Sequence, residues 1–178
     1  MGREALAKPE LHHIDEPHYR DVRFFVEDNT LERSVIMTTN QSDITLQQAQ
    51  TVVDACMRRA EELDLKMNAA VVDAGANLKA FNRMDGAWLG SIDISMKKAR
   101  TARYFDMETG DLSPMVQPGE QLYHLEFSND GLITFPGSIP LKLDDGTVVG
   151  AVGVSGSTVD NDQTVAEAGV QAFESAPK

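Results

Sequence analysis

The stretch VVDAGANLKAFNRMDGAWLGSIDISMKKART, residues 71–101, decides the fold of this chain. Apolar runs on either side of a turn rich in Asp, Gly and Asn predict a β-hairpin with strands at 69–72 and 78–81. Arg83 and Asp85 follow, where the chain must turn towards a helix. Charged side chains at such a corner are placed to bind an anionic ligand. The alternative is a salt bridge between them that closes the turn.

Three helices are predicted around this hairpin. Thr45 and Gln48 form a capping-box pattern, and apolar residues then recur at three- and four-residue spacing as far as Leu63. A second helix is predicted at Ser91–Phe105. A third is predicted at Asp162–Phe173, with Asp160 or Asp162 as its cap.

Three further strands are predicted in the second half of the chain, at 132–135, 139–143 and 147–154. The last two are joined by Asp-Asp-Gly, which is a hairpin signal. The segment 106–123 is rich in Gly and Pro and is interpreted as a long loop, suited to a functional or mobile role. Hairpins without regular βαβ alternation indicate an antiparallel sheet flanked by helices, and therefore an α+β fold.

Composition narrows the classes of function. The net charge is −12 at pH 7, which argues against a nucleic-acid partner. No apolar run approaches the length of a membrane helix and the N-terminus is too polar for a signal peptide, so we expect no membrane association and a cytoplasmic location. Cys56 is the only cysteine and lies on the apolar face of the first helix, so a buried structural thiol is predicted.

Residues 1–42 differ from the remainder and are predicted to be an N-terminal extension or oligomerisation arm, with the domain proper at 43–178. The arm contains His12, His13 and His18 beside acidic residues. Such residues suit a metal or haem iron, but their spacing matches no rigid ligand pattern, and a solvated arm is the simpler interpretation.

A basic run on the second helix contains Lys98 and Thr101, which share one helix face. Most such runs are solvated. The alternative is that Lys98 points into a cleft and binds an anionic group, with Thr101 beside it.

The segment after the long loop contains the residue types best suited to catalysis or metal binding. If it enters the sheet, His124 and Glu126 lie on the same side of a strand, with Asn129 following. They could act as a general acid–base pair, or His124 could ligate a metal; a hydrogen-bonded structural pair is the alternative. Gly137 lies in the turn Phe-Pro-Gly-Ser-Ile-Pro, whose amides are candidates for binding an oxyanion or a propionate.

Five segments taken together resemble the GlcG-like family. They are VVDAGANLKAFNRMDGA, SIDISMKKARTA, FPGSIPL, DDGTVVGAVGVSG and a final Ala/Gly-rich helix after Asp-Asn-Asp, and they span about residues 44–173. The family includes haem-binding sensor proteins and the C-terminal domain of propanediol-utilisation cobalamin adenosyltransferases. Two positions depart from its pattern: Ser138 stands where a second glycine is usual, and His124 stands where a small residue is usual.

The resemblance implies a profilin- or PAS-like α+β fold with a five-stranded antiparallel sheet. It also implies homo-oligomers, commonly tetramers or octamers, and haem as a possible cofactor.

Two functions follow from the residues and the resemblance. The first is an oligomeric protein that binds a small ligand, haem or another anionic tetrapyrrole, with Arg83, Asp85, Lys98, Thr101, Asn129 and Gly137 as ligand-binding residues and His124 as the metal ligand. The second is a small-molecule catabolic enzyme, a lyase, isomerase or hydrolase of an organic acid, with Glu126 and His124 as catalytic residues. An accessory subunit without a ligand is the third alternative.

Overall fold

The computed structural model describes residues 42–176. Its elements are α1 (Leu46–Glu62), β1 (Asn68–Asp73), β2 (Leu78–Arg83), α2 (Gly90–Phe105), the short helix α3 (Thr109–Leu112), 3-10 turns at Ser113–Val116 and Leu125–Phe127, β3 (Ser138–Lys142), β4 (Val148–Ser155) and α4 (Val159–Ser175). The predicted α+β class is therefore confirmed. Likeness to profilin or PAS domains stays a prediction.

The sheet is antiparallel throughout, with the strand order β2-β1-β4-β3. Helix α2 packs on one face, and α1 and α4 pack together on the other. Because side chains alternate along a strand, Ala70 and Val72 of β1 pack towards α2, whereas Ala69 and Val71 join the larger core beneath α1 and α4.

The prediction of five strands is wrong, because the sheet within residues 42–176 has four. The segment 132–135 is not a strand, and its backbone amides donate hydrogen bonds to groups outside the sheet. The amide of Ile133 donates to the hydroxyl of Thr101 at 3.1 Å, and the amide of Leu132 donates to the carbonyl of Glu126 at 3.0 Å. Its backbone groups are satisfied by α2 and by the preceding turn instead of by a neighbouring strand.

The helix starts follow local chemistry. The capping box of Thr45 and Gln48 forms as predicted. The cap of α4 is Thr158, so the prediction of Asp160 or Asp162 is wrong. Part of the predicted loop 106–123 is ordered as α3 and a 3-10 turn. The thiol of Cys56 is buried, and this burial raises its pKa to about 12, as befits a structural cysteine.

The predicted arm lies outside the described residues, apart from Ser42. Among the helices of residues 42–176, none is long and apolar enough to cross a bilayer.

Candidate functional site

The chain between α2 and β3 returns alongside α2 and presents a short aromatic segment. Two contacts place it: Ile133 bonds to Thr101 of α2, and Gly131 lies against the end of the Lys97 side chain. The segment 122–127, here called the aromatic turn, contains the exposed side chains of Leu122, Tyr123, His124 and Phe127.

His124 lies between two aromatic rings. Its ring centroid is 3.8 Å from that of Tyr123 and 5.3 Å from that of Phe127. Phe127 is 81% exposed, which is unusual for a side chain of that size. The backbone of His124 is left-handed, with φ of 74°. An uncommon backbone conformation next to an exposed apolar surface is typical of functional segments.

The segment with His124 and Glu126 does not enter the sheet, because Leu125–Phe127 is a 3-10 turn. In such a turn the two side chains do not follow the strand alternation. The carboxylate of Glu126 accepts a hydrogen bond from Thr134 at 3.1 Å, and none joins it to His124 among the described residues. Asn129 is exposed in a left-handed turn, where its amide donates to the hydroxyl of Ser128 at 3.0 Å.

Lys98 is fully buried, and its ammonium group is 2.7 Å from the carboxylate of Asp162. It also donates to the carbonyl of Pro136 at 2.6 Å, and it lies 4.7 Å from the centre of the Phe135 ring. The same carboxylate accepts hydrogen bonds from the amides of Gly156 and Ser157. The Lys98–Asp162 pair therefore fastens α2 to the turn before β3 and to the start of α4.

Burial dominates the electrostatics of this pair. It lowers the pKa of Lys98 and raises the pKa of Asp162 from their ordinary values, and the attraction between the two groups opposes both shifts. Gly137 lies against the pair with φ of +120°. Its amide donates to the side chain of Gln163 at 2.9 Å, so this amide already has an acceptor within the protein.

The remaining predicted ligand residues are dispersed. The hydroxyl of Thr101 is buried and donates to the carbonyl of Lys97 at 2.8 Å, while accepting from Ile133. Arg83 and Asp85 are both exposed at the corner after β2, and no ion pair joins them in the described part of the chain. The structure thus groups His124, Glu126 and Asn129 in one segment and Lys98 with Gly137 in another.

A groove of about 470 Å³ runs between α4, β3 and residues 106–111. Its lining includes five carboxylates and one lysine: Asp106, Glu108, Asp111, Glu167, Glu174 and Lys142. This negative lining does not favour an anionic ligand.

Two kinds of site residue were missed in the sequence. Tyr123 and Phe127 lie one residue before and three after His124, so the printed sequence did contain a signal for an aromatic cluster around the histidine. Asp162 gave no such signal, because it is separated from Lys98 by 64 residues and only the fold brings the two together.

The family model for the haem-degrading protein HbpS-like matches residues 44–171. An uncharacterized 15.0 kDa protein from the dhaT–dhaS intergenic region of Citrobacter freundii is 40% identical over 131 residues, which cover 73% of this chain and 92% of that protein. The corrinoid adenosyltransferase PduO of the same organism is 32% identical over 172 residues. That match covers 95% of this chain but 50% of PduO.

A solved structure of a PduOC:heme complex superimposes with a TM-score of 0.70 at 33% identity, covering 73% of this chain and 94% of that one. Its sheet-and-helix arrangement is therefore shared with residues 42–176. The family match extends over most of the chain, in agreement with the GlcG-like resemblance of its motifs. The chain belongs to the HbpS-like family.

Proposed function

We propose that this protein binds haem or a closely similar tetrapyrrole at the aromatic turn, with His124 as a ligand of the iron. The observation that carries the proposal is the exposed imidazole of His124 between the rings of Tyr123 and Phe127. A neutral imidazole nitrogen is a common ligand of haem iron. Flat aromatic rings with exposed faces suit the apolar surface of the macrocycle.

Two further observations support haem. A relative that covers most of this domain has been solved as a haem complex. The acidic groove suits haem poorly, because haem carries two propionates and five carboxylates line that groove. When bound, haem would supply redox chemistry at its iron. The protein's own part would be to hold the group by the imidazole and to contact it with the neighbouring aromatic rings.

Replacing His124 tests this assignment directly. We expect His124→Asn to weaken haem binding at least about tenfold, or ~1.4 kcal/mol, and to change the Soret band seen on titration. Asparagine is the matched replacement because it tolerates the left-handed backbone of this position but does not ligate iron. The measurement is an absorbance titration of the purified full-length chain, with circular dichroism to show that the fold is retained.

A second variant tests whether the N-terminal histidines, and not His124, bind the haem iron. Replacing His12, His13 and His18 together by Gln should leave the Soret band of the haem complex unchanged. Loss of the band in that variant, with normal binding by His124→Asn, would assign the ligand to the arm and contradict the proposal. The acid–base alternative is tested separately: unchanged turnover of an organic acid by Glu126→Gln would remove it.

We also propose that the protein is a homo-oligomer, a tetramer or an octamer. Exposed large apolar side chains, among them Leu46, Tyr104 and Phe105, support a surface that is covered in the assembly. We expect light scattering of the purified chain to give four or eight times the mass of one copy. A monomer at micromolar concentration would contradict this expectation.

A further inference from the structure

Three buried polar residues lie where α2 begins over the end of the sheet. Asn68 of β1 and Ser155 of β4 are direct partners across the two strands. By strand alternation they lie on the face that carries Ala70 and α2. Ser91 is one helical turn before Ser95, whose carbonyl lies over Gly153, two residues before Ser155. These residues, Asn68, Ser91 and Ser155, are called the α2-start cluster.

One member of the α2-start cluster, Asn68, lacks a hydrogen bond that its burial requires. Asn68 is fully buried, and its side-chain oxygen has no partner. Its side-chain nitrogen donates to the carbonyl of Trp88 at 3.4 Å, which fixes the oxygen as the free group. The hydroxyls of Ser91 and Ser155 make no hydrogen bond to any described residue, but both oxygens keep some accessible surface and are free to bind a ligand or water. A buried polar group left unpaired costs about 1–3 kcal/mol, so a missing partner of the Asn68 oxygen is indicated.

The start of α2 leaves one backbone donor free beside this cluster. Helix α2 has 16 residues, and its N-cap position is Leu89, which provides no side-chain cap. The amide of Gly90 has no acceptor among residues 42–176, and the space beside its Cα is open. Uncapped amides at a helix start attract an anion. The one acidic residue of the first turn, Asp93, is 2.9 Å from Lys97 and is partly neutralised by it.

Arg83 adds a full positive charge next to the cluster. It is the strand partner of Asn68 and lies on the same face of the sheet. It is exposed and has no ion pair among the described residues. A guanidinium group of this kind is suited to a carboxylate, which it binds with two parallel hydrogen bonds. Trp88 and Leu89, 65% and 73% exposed, border the same helix start with apolar surface.

We propose that the α2-start cluster and Arg83 form a binding site for a small carboxylate that carries an adjacent hydroxyl. Arg83 and the amide of Gly90 bind the carboxylate, since the amides of Ser91 and Ile92 already donate to the carbonyls of Trp88 and Leu89. The side-chain oxygen of Asn68 accepts the hydrogen bond of the ligand hydroxyl, and the hydroxyls of Ser91 and Ser155 complete the ring of partners. The site uses no residue of the aromatic turn, so it is independent of the haem proposal.

Trp88 allows this proposal to be tested in the intact chain, because it is the only tryptophan. We expect its fluorescence to change saturably on titration with L-lactate. Propionate, which has the same carbon chain without the hydroxyl, should bind at least about tenfold more weakly, since Asn68 then stays unpaired. Arg83→Gln should weaken lactate binding by about tenfold or more.

Control variants test whether lactate binding depends on this site, and not on general surface charge or on the haem site. Arg100→Gln removes an exposed arginine from the middle of the same helix and should leave lactate affinity unchanged. Ser155→Ala should weaken it, as a second variant that keeps the exposed surface intact. His124→Asn should respond to lactate normally even if it no longer binds haem.

Three results would overturn the proposal. One is a Trp88 signal that lactate does not change, which would leave water as the partner of the cluster. Another is equal affinity for lactate and propionate. The third is full lactate affinity in both Arg83→Gln and Ser155→Ala.

Discussion

The Lys98→Met variant is expected to lose about 3–5 kcal/mol of its free energy of unfolding. The side chains of Lys98 and Asp162 are 0% and 3% exposed, so removing one charge leaves the other buried without its partner. The carbonyl of Pro136 also loses a donor at 2.6 Å. Methionine fills a similar volume, so the loss arises from the uncompensated charge and not from a cavity.

A double variant distinguishes the destabilisation caused by the unpaired charge from that caused by altered packing. Lys98→Met combined with Asp162→Asn should be at least about 1 kcal/mol more stable than Lys98→Met alone, because no buried charge then remains. The amide oxygen of the new side chain can still accept from Gly156 and Ser157, as the carboxylate does now. The start of α4 therefore keeps its hydrogen bonds.

Lys97→Met is the matched control, since it removes the neighbouring lysine of the same helix. Lys97 pairs with Asp93 on a partly exposed surface, and such pairs contribute about 0–1 kcal/mol. Urea denaturation of the four proteins measures all these differences. If Lys98→Met and Lys97→Met lost the same small amount, the buried pair would have no special part in the stability of this fold.

Most helices and strands of this fold could be predicted from local sequence signals. Features that depend on contacts between distant residues could not. The capping box at Thr45 and the Asp-Asp-Gly turn each depend on interactions within a few residues, so they can be recognised in the sequence. The segment 132–135 has the apolar content of a strand, yet its amide at Ile133 bonds to Thr101 of α2. That choice depends on tertiary structure, which is why the predicted fifth strand is absent.

For the candidate sites too, the sequence indicated residue types but not the partners that the fold gives them. The histidine at 124 was recognisable as a residue type, but its position in a 3-10 turn depends on how the chain packs beside α2. Lys98 was interpreted as a solvated or cleft residue because Asp162, its partner, lies in a distant helix. The α2-start cluster joins residues from β1, α2 and β4, and no sequence window contains them together.

Gly153→Ala is expected to destabilise the protein by about 3 kcal/mol or more, at the upper end of overpacking. Gly153 is in the middle of β4 on the face that carries α2. A methyl group there would meet the carbonyl oxygen of Ser95 and the backbone of Ala99. Neither is a flexible side chain that can rotate away, so the whole of α2 must move off the sheet.

Gly90→Ala is the control for this substitution, because it adds the same methyl group to the same helix in open space. It should leave stability unchanged or raise it by up to about 1 kcal/mol, through helix propensity. Denaturation of both variants measures the difference. Gly153→Ala within about 0.5 kcal/mol of the parent would show that α2 is not held this closely to β4.

The same displacement of α2 should be visible in ligand binding. Ser91 belongs to α2 whereas Asn68 and Ser155 belong to the sheet, so lifting the helix separates the partners of the α2-start cluster. We therefore expect Gly153→Ala to lose the lactate response of Trp88 under conditions where it is still folded. Haem binding at His124 should be affected less, because the aromatic turn is attached to α2 through Thr101 and moves with it. A variant that lost haem binding while keeping the lactate response would contradict this arrangement.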